Sequence, residues 1–150
     1  MSAHTSAMRA LAVTALVLSC SVGWAQMNPV GLWRTIDDKT GEMSSEVRIV
    51  EADGVLSGKI EKVLRKDAKP DAVCDQCKDA RKNQPIVGLE IIRGAKKDGE
   101  EDVWVGGQIL DPDNGKDYRL KLTPLDGGKR LQVRGYIAFF YRTQMWVRAQ

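Results

Sequence analysis

Short runs of alternating apolar and polar residues cover the chain from residue 31 almost to its end. Gly, Asn, Asp and Pro, the residues that tight turns favour, separate the runs. An alternation of period two predicts β-strands with one buried and one solvated face. The eight predicted strands are Leu32–Ile36, Met43–Glu51, Val55–Leu64, Pro85–Arg93, Asp102–Leu110, Asp117–Thr123, Arg130–Tyr136 and Arg142–Arg148.

Two segments depart from this pattern. Arg65–Gln84 is charged, contains Pro70, and predicts a long excursion from the sheet with one helical turn around Asp79–Asn83. Ile137–Tyr141 is an apolar run without turn-forming residues. We expect it to be buried as a continuation of a strand, and the alternative is an exposed apolar lip, which often marks a contact with a partner or lipid.

The strand pattern predicts an all-β fold. Tight connections and the absence of a βαβ pattern indicate antiparallel pairing, and a long meander avoids exposed edges by closing on itself. A small antiparallel eight-stranded barrel over residues 26–150, as a single domain, is the economical solution. An open or sandwich-like sheet has the same periodicity and stays an alternative.

Residues 1–25 are typical of a signal peptide. Arg9 precedes an apolar segment too short to span a bilayer, and Gly23-Trp24-Ala25 places small residues where signal peptidase cleaves. We expect a periplasmic or secreted protein with no transmembrane segment after cleavage. Val17-Leu18-Ser19-Cys20 loosely resembles a lipobox, so lipid anchoring at Cys20 is the alternative.

Charge and composition exclude several functions. The net charge of +3 comes from interspersed basic and acidic residues, which argues against a nucleic-acid partner. The only histidine, His4, lies in the predicted signal peptide. Histidine-dependent nucleophilic catalysis and histidine-ligated zinc are therefore excluded from the mature chain. We expect no enzyme activity, no cofactor and no metal site.

Cys74 and Cys77 form the one reactive-looking motif, Cys-Asp-Gln-Cys. In an oxidising compartment two thiols this close are expected to form a disulfide that pins the excursion. Thiol–disulfide activity is the alternative, although the helix and βαβ unit that accompany such motifs are missing.

Aromatic and polar residues on the later strands suggest a ligand pocket. Trp104, Gly106, Gln108 and Leu110 are predicted to share one face of the fifth strand, and Arg142, Gln144, Trp146 and Arg148 one face of the eighth. The candidate ligand-binding residues are Trp104, Gln108, Arg134, Tyr136, Gln144 and Trp146. Because the predicted strands are short, packing favours a filled interior, and a hollow one stays open.

Gly31-Leu32-Trp33 with a C-terminal arginine resembles the lipocalin and calycin pattern. The resemblance implies that Trp33 packs at the closed end of a barrel under an arginine of the last strand, either Arg142 or Arg148. The mature chain also resembles the bacterial family called domain of unknown function 2147. Five segments carry that resemblance: Gly31–Trp33, Gly106–Pro112, Asn114–Tyr118, Val133–Tyr136 and Arg142–Trp146.

The family resemblance implies an envelope protein with a lipocalin-like barrel and carries no catalytic residue. We therefore expect a barrel that binds a small apolar or amphipathic ligand. An envelope structural or protein-interaction module with a filled barrel is the alternative, and a thiol–disulfide protein working through Cys74 and Cys77 is a weaker one.

Overall fold

A computed structural model describes residues 27–150 of the chain. The predicted signal peptide and the possible lipidation site at Cys20 lie outside these described residues. Eight strands form one closed antiparallel barrel in which each strand pairs with its sequence neighbours and β8 pairs with β1. The strands are β1 (Gly31–Ile36), β2 (Met43–Ala52), β3 (Val55–Val63), β4 (Glu90–Lys97), β5 (Trp104–Asp111), β6 (Lys116–Leu125), β7 (Arg130–Ile137) and β8 (Phe140–Arg148).

The antiparallel barrel expected from the sequence is confirmed. Seven of the predicted strands coincide with observed ones to within a few residues, since the alternation and the turn residues act together. The helical content within residues 27–150 is one short 3-10 turn, Asp126–Gly128, between β6 and β7. No helix in this part of the chain is long and apolar enough to cross a membrane.

The fourth strand was predicted too early in the chain. It begins at Glu90 and runs through Gly94 to Lys97, whereas Pro85–Leu89 belongs to the excursion that follows β3. Gly94 takes a φ of 76°, a left-handed conformation that glycine adopts without penalty, so it does not end the strand. The helical turn predicted around Asp79–Asn83 is instead a pair of hydrogen-bonded turns, closed by Lys82 N–H to Asp79 O and Gln84 N–H to Arg81 O.

Inward-facing side chains fill one half of the barrel. Val47 and Ile49 on β2, Leu122 on β6 and Leu131 on β7 are fully buried, as period-two alternation requires. Three tryptophans from different strands, Trp33, Trp104 and Trp146, are also buried and supply the largest apolar side chains of the core.

Trp33 and Arg148 close one end of the barrel. The Arg148 guanidinium lies 4.2 Å from the centre of the Trp33 ring, within the range of a cation–π contact. Its Nε, Nη1 and Nη2 atoms donate hydrogen bonds to the backbone carbonyl oxygens of Gly128 (2.6 Å), Val30 (2.9 Å) and Asn28 (2.7 Å), respectively. Burial lowers the pKa of Arg148, and these hydrogen bonds compensate for the desolvation of its charge.

The structure selects Arg148 from the two arginines that the resemblance left open. Trp33 and Arg148 are direct cross-strand partners where β1 meets β8. Arg142 lies near the other end of β8, where it binds Asp38 in the β1–β2 turn. The Trp33 indole also donates a hydrogen bond to Pro29 O (2.7 Å), so the segment before β1 is held against the closed end.

Removal of the Arg148 guanidinium should destabilise the barrel. Arg148→Ala leaves three backbone carbonyls and the Trp33 ring without their partner, and we expect the free energy of unfolding in urea to fall by about 2–4 kcal/mol. Arg130→Ala is the matched control, because its half-exposed ion pair with Asp126 should contribute no more than about 1 kcal/mol. Equal losses for the two variants would contradict the role given to Arg148.

Candidate functional site

A cavity of about 760 Å³ opens at the end of the barrel opposite Trp33 and Arg148. Its outer boundary is formed by the start of the β1–β2 turn, the β5–β6 turn and the excursion between β3 and β4. Each segment contributes lining residues: Asp37 comes from the β1–β2 turn, Pro112 from the β5–β6 turn and Val73 from the excursion. The mouth of the cavity is therefore built from connections, while its walls are barrel strands.

The deep walls of the cavity are apolar. Trp146 is the lining residue of β8 closest to the closed end, so its ring forms a floor toward the filled half of the barrel. Apolar side chains from five strands complete the surface: Ile60, Ile91, Ile109, Val133 and Trp146. Gly135 lets Tyr118 and Ile109 pack closely against β7, because a Cβ there would meet Tyr118 Cβ at 3.1 Å and Ile109 Cγ2 at 3.6 Å.

Hydroxyl and amide groups line the cavity above its apolar floor. The Thr35 hydroxyl lies within hydrogen-bond distance of the hydroxyls of Ser44 (2.6 Å) and Ser45 (2.8 Å). The Trp146 indole donates a hydrogen bond to Gln144 Oε1 (3.2 Å). These groups could reorient toward the polar end of a ligand, since hydroxyls both donate and accept.

Arg142 places a cation at the mouth. Its guanidinium donates to Asp38 Oδ2 (2.7 Å) and approaches Asp111 Oδ2 (4.0 Å). The hydrogen bond to Asp38 raises the pKa of Arg142, with Asp111 adding a smaller contribution of the same sign. This ion network bridges the connections after β1 and β5 across the mouth. The sequence left both Arg142 and Arg148 as candidates for the arginine over Trp33 because the two share the alternation of β8, and the structure places Arg142 at the mouth.

The excursion is fastened to the outside of the barrel by Arg81. This buried side chain donates hydrogen bonds to both carboxylate oxygens of Asp117 on β6 (2.8 and 2.9 Å) and to Glu90 O (3.1 Å). It also pairs with Asp79. Burial opposes the charge of Arg81, but its bonds to Asp79 and Asp117 outweigh that effect and raise its pKa. The hydrogen bonds that Arg81 donates to Asp79 lower the pKa of Asp79 far below its usual range.

The predicted disulfide between Cys74 and Cys77 is present. It lies in the excursion, and both residues are buried, with 0% and 2% of their surface exposed. The loop packs on the β5–β6 turn, where a Cβ at Gly115 would come within 1.9 Å of Gln76 O. Thiol–disulfide exchange needs access to a sulfur, which this burial withholds, so the structural interpretation is favoured over redox activity.

The six candidate ligand-binding residues do not form one pocket. Gln144 and Trp146 line the cavity. Trp104 is buried in the core but does not border the cavity. The remaining three, Gln108, Arg134 and Tyr136, lie on the outer surface of the barrel.

A β-bulge at Gly106 explains part of this difference. Trp104 pairs with Leu122 and Gly107 pairs with Leu120, so β5 has one more residue than β6 in this interval. Gly106 takes a φ of 76° there, and the extra residue turns Gln108 outward while Ile109 faces the cavity. The prediction that Trp104, Gly106, Gln108 and Leu110 share a face is therefore wrong.

The outward residues form a continuous cross-strand row. Arg93 pairs with Gln108, Gln108 with Arg119, Arg119 with Tyr136, and Tyr136 with Tyr141. The rings of Tyr136 and Tyr141 lie 5.8 Å apart. Two members of this row, Gln108 and Tyr136, were assigned by the sequence pattern to the interior pocket.

The apolar run at the β7–β8 hairpin is exposed, so the expectation of burial is wrong. Phe139 is 99% exposed, Phe140 75% and Tyr141 63%. The hairpin extends beyond its neighbouring strands, and Ala138 takes a φ of 49° at its tip. A run of apolar residues at a tight tip cannot reach the interior, because the core lies behind the paired strands.

The closed eight-stranded meander, with a cavity open at one end, is a lipocalin-like barrel. A family model described as "Uncharacterized protein conserved in bacteria (DUF2147)" matches residues 31–148, and the chain belongs to this family. Among solved structures, protein HP1028 from the human pathogen Helicobacter pylori, which belongs to the lipocalin family, is similar with a TM-score of 0.68. The two share 17% sequence identity, and the match covers 81% of this chain and 82% of that one. Comparison with curated proteins found no significant match.

Loss of Arg81 should release the excursion without opening the barrel. In Arg81→Met, Asp117 and Glu90 O lose their partner, and we expect amide hydrogen exchange across residues 72–89 to rise at least tenfold while β6 and β7 stay protected. Lys78→Met is the control, since Lys78 is exposed and its side chain forms no hydrogen bond or ion pair within the described residues. Unchanged exchange in Arg81→Met would contradict this anchoring.

The anchor formed by Arg81 should also depend on pH. Because the pKa of Asp79 is lowered, the anchor, measured by the same hydrogen exchange, should hold above about pH 4 and weaken below it.

Proposed function

We propose that the protein binds a small apolar or amphipathic ligand in the cavity at the open end of the barrel. The observation that carries the proposal is a cavity of about 760 Å³ with an apolar floor and polar groups nearer its mouth. Cavities of roughly 300–1,000 Å³ are the usual size for small-molecule sites. An apolar surface of this extent favours a ligand that removes it from water.

The distribution of polarity supports a ligand with two chemically different ends. Burial against Trp146, Val133 and Ile109 would favour an apolar portion deep in the barrel. The hydroxyls of Thr35 and Ser45 and the charged groups at the mouth would favour a polar portion near solvent. Such a ligand would lie along the barrel axis with its polar end outward.

We propose binding without chemical conversion. A general acid needs a carboxyl group whose pKa is raised toward neutrality. Two carboxyl groups that line the cavity, those of Asp37 and Glu61, have pKa values that are lowered instead. Backbone hydrogen bonds from Thr40 and Lys39 lower the pKa of Asp37, and the hydrogen bond from Arg48 lowers that of Glu61. Both groups are therefore suited to fixed negative charge.

We also propose that the protein works in the periplasm or outside the cell. The apolar segment before Gln26 is typical of a signal peptide, and the disulfide of Cys74 and Cys77 is a bond that persists in oxidising compartments. An exported carrier would meet apolar molecules that dissolve poorly in the aqueous envelope.

Native mass spectrometry tests the ligand directly. Protein purified gently from its own periplasm should carry a mass excess that disappears on denaturation. In Ile109→Trp, the added ring should occupy the cavity, and we expect the excess to vanish and the affinity for an apolar fluorescent probe to fall at least tenfold. Val50→Trp is the matched control, since Val50 is 46% exposed and outside the cavity. A polypeptide mass alone, with no probe binding, would overturn the proposal.

Export makes a separate prediction about the N-terminus. Cleavage after Ala25 should leave a mature protein that begins at Gln26, because the small residues Gly23 and Ala25 fit signal peptidase. Intact mass of the exported protein measures this. A chain beginning at an acylated Cys20 would establish the lipoprotein alternative, and a full-length chain in the cytoplasm would contradict export.

A further inference from the structure

The β7–β8 hairpin presents an aromatic tip to solvent. Phe139 is almost fully exposed, and Phe140 and Tyr141 are more than half exposed. Each exposed ring costs free energy in water, and three adjacent ones on a projecting turn are unusual for a surface without a partner. The three residues are referred to below as the aromatic tip.

Cations lie directly behind the aromatic tip on the outer face. The Arg134 guanidinium stacks 4.7 Å from the centre of the Tyr141 ring and hydrogen bonds to Thr143 Oγ1 (2.9 Å). Lys121 is the cross-strand partner of Arg134, and Arg119 is that of Tyr136. Within residues 27–150, none of Arg119, Lys121 and Arg134 forms an ion pair with a carboxylate. We call these three residues the basic row.

The acidic groups near this hairpin are already engaged by other cations. Asp117 on β6 is bound by Arg81, and Asp38 is bound by Arg142, which also approaches Asp111. These three carboxylates therefore do not cancel the positive charge of the basic row. This leaves an aromatic tip and a positive flank on one continuous surface.

We propose that the β7–β8 hairpin docks the barrel on anionic membrane surfaces. The aromatic tip would enter the boundary between headgroups and acyl chains, where aromatic side chains are favoured. The basic row would face the phosphates of the headgroups, and the phenols of Tyr136 and Tyr141 would lie at headgroup depth.

The shape of the surface favours a membrane over a protein partner. A stable protein interface buries about 800 Å² on each partner and needs a complementary surface. The three side chains of the aromatic tip, at roughly 150–250 Å² each, present less area than that. A bilayer adapts to a projecting tip, so three aromatic residues and nearby cations suffice for reversible attachment.

Docking in this orientation would place the cavity close to the bilayer. Gly135 and Arg142 border the cavity and lie on the same two strands as the aromatic tip. An apolar molecule could then pass between membrane and cavity with little exposure to water. The docking itself requires no ligand in the cavity, so it can be tested independently of the proposed function.

Vesicle sedimentation tests the docking. The purified protein with Cys20→Ser, which excludes an acyl anchor, would be mixed with vesicles of phosphatidylglycerol and phosphatidylethanolamine or of phosphatidylcholine alone. We expect binding to the anionic vesicles that weakens with added salt. Phe139→Ser with Phe140→Ser should reduce the partition coefficient at least tenfold. Lys121→Gln should reduce it about fivefold on anionic vesicles only.

Matched substitutions on the opposite side of the barrel separate docking from general effects. Val50→Ser removes an exposed apolar side chain from β2, and Lys59→Gln removes an exposed cation from β3, and neither should alter binding. All variants should keep the wild-type unfolding midpoint, because the substituted residues are exposed or only partly buried. Absence of binding to anionic vesicles, or binding that survives loss of the aromatic tip, would overturn the proposal. Tip-dependent capture of a protein without vesicle binding would overturn it as well.

Discussion

A β-barrel exists only if its first and last strands meet, and in this protein that junction is short. Two cross-strand pairs, Trp33 with Arg148 and Arg34 with Val147, define the register between β1 and β8. Arg148 strengthens the junction by binding three backbone carbonyls and covering the Trp33 ring. One charged side chain thus connects the segment before β1, the β6–β7 turn and the last strand. The cost of burying its charge is offset by hydrogen bonds that no other side chain could make in the same geometry.

This closure determines where a ligand could be held. Trp33, Trp104 and Trp146 fill the half of the barrel next to Arg148, so the remaining volume lies at the opposite end. The side chains that line it near the mouth include the small hydroxyl residues Thr35, Ser44 and Ser45, which leave that volume unfilled. The expectation of a filled interior holds for the closed half and fails for the open half. The largest side chains lie near Arg148 and smaller ones near the mouth. One end of the barrel is therefore a packed core and the other a cavity.

The mouth depends on ionic contacts between segments distant in the chain. Arg81 joins the excursion to Asp117, and Arg142 joins the β1–β2 turn to the β5–β6 turn. These contacts position loops that have little secondary structure of their own. The aromatic tip lies at the same end of the barrel as these connections. The mouth of the cavity and the aromatic tip are therefore neighbours.

The sequence predicted most of the fold because alternation, turn residues and the need to protect strand edges lead to the same barrel. It also predicted that Gln144 and Trp146 share a face of the last strand, and both residues border the cavity. The bulge at Gly106 reversed the face of Gln108, and period-two alternation cannot signal where its own phase changes. The anchor from Arg81 was missed because its partner lies 36 residues away in sequence. A local pattern of hydrophobic and polar residues carries no trace of such a pair.

A crystal structure of the protein isolated from its native cells tests the central claim most directly. We expect electron density for a bound molecule between the Trp146 ring and Gly135, with its polar end toward Thr35 and Arg142. A barrel in which Tyr118 and the neighbouring side chains close this space, leaving no room for a molecule, would contradict the claim.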